Sequence, residues 1–85
     1  MDAVPSRDAI VAQVKGVVGQ VLKLAAADID EQADLEALGA DSLDRMTLVV
    51  SLEDYLKAPI SDDEARALKT VADVVACIER RLASG

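Results

Sequence analysis

The sequence predicts an all-α fold: a small four-helix bundle of three long helices and one short, with a long loop between helices one and two. Three observations carry that prediction. Apolar residues recur at spacings of three and four in three separate stretches. Residues that favour helix starts stand ahead of each helix, and no stretch is assigned to a strand. Finally, 85 residues cannot divide their buried surface between two cores, so residues 1–85 are expected to form a single domain with its core over about 6–82.

The first helix follows Ser6, a suitable N-cap, with Asp8 in its first turn; Ile10, Val14, Val17, Val18, Val21 and Leu22 share one face. Gly16 and Gly19 lie inside it at a cost of up to about 1 kcal/mol each relative to alanine, tolerable where a neighbouring helix packs close. From Ala25 to Asp41 the periodicity fades and Asp28, Asp30, Glu31, Asp34, Glu36 and Asp41 accumulate, with no basic residue between Lys23 and Arg45. A loop of this length needs pinning, and Ile29, Leu35 and Leu38 are the candidate pins. The spaced ligands and closing glutamate of a calcium-binding EF-hand loop are absent.

The second helix is expected from Ser42 to about Lys57. Leu43, Met46, Val49, Val50, Leu52 and Leu56 form its broad apolar stripe, with Asp44, Thr47, Ser51 and Asp54 on the opposite side. Leu48 falls between Asp44 and Ser51 on the polar side, where an apolar residue is often a partner contact. Pro59 stops this helix, and Ser61-Asp62-Asp63-Glu64 reads as a capping box opening a short third helix through about Leu68. Thr70 caps a fourth, in which Val71, Val74, Val75, Ile78 and Leu82 share one face and Arg80 and Arg81 suit the C-terminal end. Ala83-Ser84-Gly85 is expected to fray.

Composition narrows the function. The chain is 52% hydrophobic with one tyrosine and no phenylalanine or tryptophan, so its core must be aliphatic. The absence of histidine removes the usual metal ligand and general base, and a self-contained Ser-His hydrolase is excluded. The single cysteine, Cys77, rules out an internal disulfide and is expected to be a small buried hydrophobe. Met1–Arg7 lacks a basic start followed by an apolar block, and Ala9 to Ala27 is interrupted by Lys15 and Lys23, so a cytoplasmic protein with no stable membrane association is expected.

Charge is unevenly placed. Residues 1–27 carry a net +1 and residues 65–85 a net +2, whereas Asp28 to Glu64 holds twelve acids against Arg45 and Lys57, a net −10. A field of that sign repels nucleic acid and anionic lipid and steers proteins with basic patches toward the segment.

Ser42 lies inside the acidic segment, in Gly39-Ala40-Asp41-Ser42-Leu43-Asp44, where the loop meets the second helix. A serine there is either an N-cap or a hydroxyl held out for another protein to modify, and the stretch alone leaves both open. The dipole of the helix favours an anion at this point, such as a phosphodiester.

Leu38-Gly39-Ala40-Asp41-Ser42-Leu43-Asp44, followed by the acidic-apolar helix and by Pro59-Ile60-Ser61-Asp62-Asp63-Glu64-Ala65, resembles the acyl carrier protein family over about Ile10 to Leu82. The resemblance implies a carrier that is not itself an enzyme, a monomer, with 4'-phosphopantetheine attached to Ser42 by a phosphopantetheinyl transferase that uses coenzyme A and magnesium. The arm's thiol would hold acyl groups as thioesters for fatty-acid, lipid or polyketide enzymes with basic docking patches. Asp41, Leu43 and Asp44 match the motif flanks that the transferase reads, and Met46, Val50, Glu53 and Asp54 fall on the surface that family partners touch; core packing is the other reading of Met46 and Val50. Three residues depart from the family's common pattern: Ala37, Arg45 and Thr47 each remove negative charge near the docking helix, so a housekeeping fatty-acid carrier and a carrier for a dedicated pathway both stay open, the latter with Arg45 facing its partners. The alternatives are a peptidyl or aminoacyl carrier, which usually has glycines where this chain has Ala40-Asp41, and an unmodified helical binding module in which Ser42 is only a cap.

Overall fold

The computed structural model describes residues 6–84. The leader pattern sought in Met1–Arg7 and the fraying expected at Gly85 therefore fall partly or wholly outside the described residues. Four helices are formed: α1 (Arg7–Leu22), α2 (Ser42–Leu56), α3 (Asp62–Ala67) and α4 (Val71–Ser84), with one 3-10 turn at Ala26–Asp28. Three are long, one is short, and no strand is formed among the described residues beyond an isolated bridge between Asp34 and Thr70. Helix α4 continues through Ala83 and Ser84, past the point where fraying was expected.

Local chemistry accounts for the boundaries. Ser6 Oγ accepts the Ala9 N–H at 3.2 Å and starts α1. Helices α1 and α2 both end on a lysine in the left-handed region, Lys23 at φ 61° and Lys57 at φ 57°, so α2 stops two residues before Pro59. Ser61 and Glu64 form the reciprocal capping box of α3. Thr70 and Asp73 make an equivalent pair at α4, with Thr70 Oγ1 accepting the Asp73 N–H and Asp73 accepting the Thr70 N–H. Burial works against ionisation of Asp73, yet the N–H groups of Thr70 and Lys69 outweigh it and hold the carboxyl below its usual range.

Helix α1 packs chiefly on α4 and next on α2, and α2 also meets α4. Ile10, Val14 and Val18 from α1, Leu48 and Leu52 from α2, and Val71, Val74, Val75, Cys77 and Ile78 from α4 fill the core between them. Cys77 is a buried packing residue. The long loop joins this core through Ile29, Leu35 and Ala40, with Leu38 partly buried against it. Its backbone is tied as well: Leu35 N donates to Lys69 O at 2.8 Å and Ala72 N to Glu31 O at 2.8 Å. Arg7 pairs with Glu31 across the same junction. Loop pinning thus combines apolar burial with main-chain bonds to the start of α4.

Gly19 is required by the chain reversal after α1 rather than by a neighbouring helix. A Cβ there would stand 2.6 Å from the Leu24 carbonyl oxygen. Gly16 faces open space.

Helix α3 is held differently from the other three. It contributes no buried residue and touches the other helices only sparsely. Arg81 of α4 pairs with Glu64 and donates to Pro59 O at 2.9 Å, while Ile60 N donates to Glu53 Oε2 at 2.8 Å. Arg81 was expected to serve the end of its own helix; instead its guanidinium secures another.

Candidate functional site

The approach to α2 is shaped by two features. Gly39 takes φ +100°, a conformation that side-chain-bearing residues rarely adopt, and this turns the chain so that Ala40 enters the core. Asp41 then becomes the N-cap: its Oδ1 accepts the Asp44 N–H at 2.8 Å, and Asp44 Oδ2 accepts the Asp41 N–H at 3.3 Å. This capping box removes one of the two readings of the motif. Ser42 is the first residue of the helix and is not its cap.

With capping assigned to Asp41, the Ser42 side chain is exposed and its hydroxyl makes no hydrogen bond among the described residues. It stands at the positive end of α2. Beside it a groove runs between α2 and α3, walled by Met46 and Val49 on one side and Ala65 and Arg66 on the other, with Arg45 between. An exposed, unpaired hydroxyl at a helix start with an open groove alongside fits a tethered phosphate-linked chain. Among the described residues no base is hydrogen-bonded to the hydroxyl: Asp41 and Asp44 are engaged in the cap, and the chain has no histidine.

The residues expected to face partners separate into two sets. Leu43, Met46 and Val50 are 69%, 64% and 58% exposed and rise along successive turns of α2, with Asp54 exposed beyond them. Leu48 is not on that surface. It is buried in the core, because α2 is apolar on two sides and it is the side of Leu48 and Leu52, flanked by Val49 and Leu56, that faces α1 and α4. Of the expected apolar stripe, Leu52 is buried and Val49 and Leu56 pack against the core, whereas Leu43, Met46 and Val50 are turned to solvent. Glu53 is half-buried and its carboxylate receives the Ile60 N–H, which makes it a structural tie.

Arg45 also differs from expectation. Its Nη2 donates to Leu68 O at 2.9 Å and Ala65 O at 3.3 Å, so the guanidinium is turned toward α3 rather than toward a partner. Thr47 Oγ1 donates to Leu43 O at 3.0 Å within the helix. The inward roles of Arg45 and Arg81 have no local signature, since their acceptors are main-chain carbonyls and a glutamate 17 to 23 residues away. Among the described residues no acidic cluster is arranged to hold a metal ion, and no helix is long and apolar enough to cross a membrane.

Residues 12–78 match the family profile described as the phosphopantetheine attachment site. The chain is 35% identical over 78 residues to an acyl carrier protein of Thermotoga maritima, covering 91% of this chain and 96% of that protein. It is 46% identical over 67 residues to an acyl carrier protein of Helicobacter hepaticus, covering 78% and 88%. Its fold superimposes on a solved acyl carrier protein from Enterococcus faecalis with a TM-score of 0.74 at 27% identity, over 91% of this chain and 99% of the other. With the helix order, the exposed serine at the start of α2 and these three relatives in agreement, the chain belongs to the acyl carrier protein family, whose members carry acyl groups on phosphopantetheine.

Proposed function

We propose that Ser42 is the residue to which 4'-phosphopantetheine is attached, that Asp41, Leu43 and Asp44 are the flanks read by the transferase, and that Leu43, Met46, Val50 and Asp54 form the surface met by partner enzymes. The observation that carries this reading is the division of labour at the helix start. Asp41 takes the cap, leaving the Ser42 hydroxyl exposed and unpaired beside a groove.

When bound, the arm supplies the thiol on which acyl groups are held. The chain's own residues position and present it. Ser42 fixes the point of attachment at the positive end of α2, where the phosphodiester is favoured. The exposed apolar stripe offers desolvation area to a partner, and the net −10 of residues 28–64 attracts basic docking patches. The chain supplies no general base and acts as a carrier rather than a catalyst, as a cytoplasmic single domain without a nucleic-acid or membrane partner. Because Arg45 is turned inward, its charge does not set up repulsion on the surface proposed to meet partners.

Incubation with coenzyme A and a broad-specificity phosphopantetheinyl transferase, followed by intact mass and peptide mapping, tests this. One added phosphopantetheine on the peptide containing Ser42, and none in Ser42→Ala, is expected. The loading rate should fall as ionic strength rises. Modification at another residue would overturn the assignment, and a salt-independent rate would remove the electrostatic part.

A further inference from the structure

The residue that follows α3 and Leu68 is tied to the start of α2 by two separate routes. Arg45, one turn into α2 from Ser42, donates through Nη2 to Leu68 O at 2.9 Å, and Leu68 directly precedes Lys69. By the second route, Ala40 N donates to Leu35 O at 3.0 Å and Leu35 N to Lys69 O at 2.8 Å. The first route alone places the Ser42 and Lys69 Cα atoms at most about 18 Å apart, since one helical turn, an arginine side chain and a hydrogen bond span it.

Lys69 is held at its base and loose at its tip. Its N–H donates to Ala67 O and Asp73 Oδ2, and its carbonyl receives the Leu35 N–H. The side chain is exposed and makes no hydrogen bond or ion pair among the described residues, although the Asp73 carboxylate attracts it. A flexible four-carbon stem therefore carries the amine over the surface. Ala65 and Arg66, one turn ahead of Lys69, wall the groove that begins at Ser42, so the way between the two residues runs outside the core.

A phosphopantetheine arm on Ser42 extends about 18 Å from phosphorus to sulfur, and a lysine side chain adds about 6 Å, more than the separation requires. Lys57 is less well placed. It ends α2 at the far side, about 22 Å from Ser42 by helix rise. Lys15 borders a recess with Asp28, Asp30 and Glu31.

We propose that Lys69 accepts acyl groups from the arm of its own chain and becomes an Nε-acyl lysine. This rests on Ser42 bearing the arm. Lys69 Nζ, in its neutral form, attacks the thioester carbonyl carbon. The C–N bond forms, the C–S bond breaks, and the electron pair leaves with the sulfur, which takes up the proton that the nitrogen gives up. The products are an amide on Lys69 and a free thiol, with no further reactant and no change in the mass of the protein. The substrate class is the short-chain acyl thioester, whose carbonyl is least shielded. Tethering drives the transfer, because a short flexible link holds the two groups at an effective concentration of about 1 mM.

The test uses holo protein charged with acetyl by the transferase from acetyl-coenzyme A and held in mildly alkaline buffer at about 10 µM, roughly a hundredfold below that effective concentration. Hydroxylamine strips what remains as thioester, and intact mass with peptide mapping locates the acetyl that resists it. The wild type should gain a resistant acetyl on the Lys69 peptide, with a first-order rate unchanged by dilution. Lys69→Arg keeps the charge and the main-chain bonds and should form roughly tenfold less, whereas Lys57→Arg should match the wild type. Ser42→Ala mixed with an equal concentration of acetyl-coenzyme A should leave Lys69 unmodified over the same time. Acetyl spread over Lys15, Lys23 and Lys57 as much as Lys69, a rate that falls on dilution, or hydrolysis with no amide overturns the proposal. Failure to load Ser42 removes the attachment assignment and this proposal together, whereas normal loading without an amide at Lys69 removes this proposal only.

Discussion

Asp41 and Ser42 are neighbours with opposite dependences on their side chains. Asp41 satisfies an otherwise unpaired N–H at the start of α2 and is held by the reciprocal bond from Asp44. Asp41→Ala should therefore cost about 1 kcal/mol in a urea unfolding midpoint. Ser42→Ala removes no bond and should change stability by less than about 0.5 kcal/mol, while under the proposed attachment it should abolish loading. Equal losses at the two positions would mean that the serine shares the cap. The motif showed that a helix starts here, but the choice of cap depended on backbone geometry: the extended conformation of Asp41 aims its carboxylate at the Asp44 N–H.

Within α1, two glycines with the same helix propensity stand in different surroundings. At Gly16 a methyl group meets nothing within 4 Å, so Gly16→Ala should stabilise by up to about 1 kcal/mol. At Gly19 the methyl carbon would stand 2.6 Å from the Leu24 carbonyl oxygen, and because that oxygen is main chain the reversal itself must shift. Gly19→Ala should lower the thermal midpoint despite alanine's better propensity. A gain at both sites would show that the reversal yields easily. Helix α2 presents a comparable ambiguity, since its apolar residues occupy two sides and periodicity cannot rank them. Leu48 and Leu52 face inward because α1 and α4 stand there, and Leu43, Met46 and Val50 are left to solvent.

For the whole molecule, the weakest join is the attachment of α3, and it is sensitive to acid. Arg81 and the Ser61 N–H hold the Glu64 carboxyl below its usual range. A depressed folded-state value stabilises the protein above the unfolded carboxylate value, roughly pH 4, and that contribution is lost as pH falls through the folded value. Asp73 acts in the same direction. Protonation of the acidic segment relieves repulsion and works the other way, so the comparison must be made against a variant. The stability difference between wild type and Glu64→Gln should be largest above the carboxylate range and shrink as the pH is lowered below it. A difference that does not vary with pH would mean that the Arg81 contact contributes through packing alone.

The sequence by itself determined the helix count, the Ser61–Glu64 capping box, the aliphatic core and the place of Ser42, because helices and their caps depend on neighbours within about four residues along the chain. It also exposed the acidic segment around the site, since charge adds up without reference to the fold. Only the tertiary structure decided which side of α2 faces the core, that Asp41 frees Ser42, and that Arg45 and Arg81 reach across to hold α3. The reach of Arg45 and Arg81 depends on groups brought together from positions 17 to 23 residues apart and largely on carbonyl acceptors that every residue possesses, so no pattern of side chains could mark it in advance, whereas the Asp41 cap spans three residues and turns on the backbone conformation of Asp41.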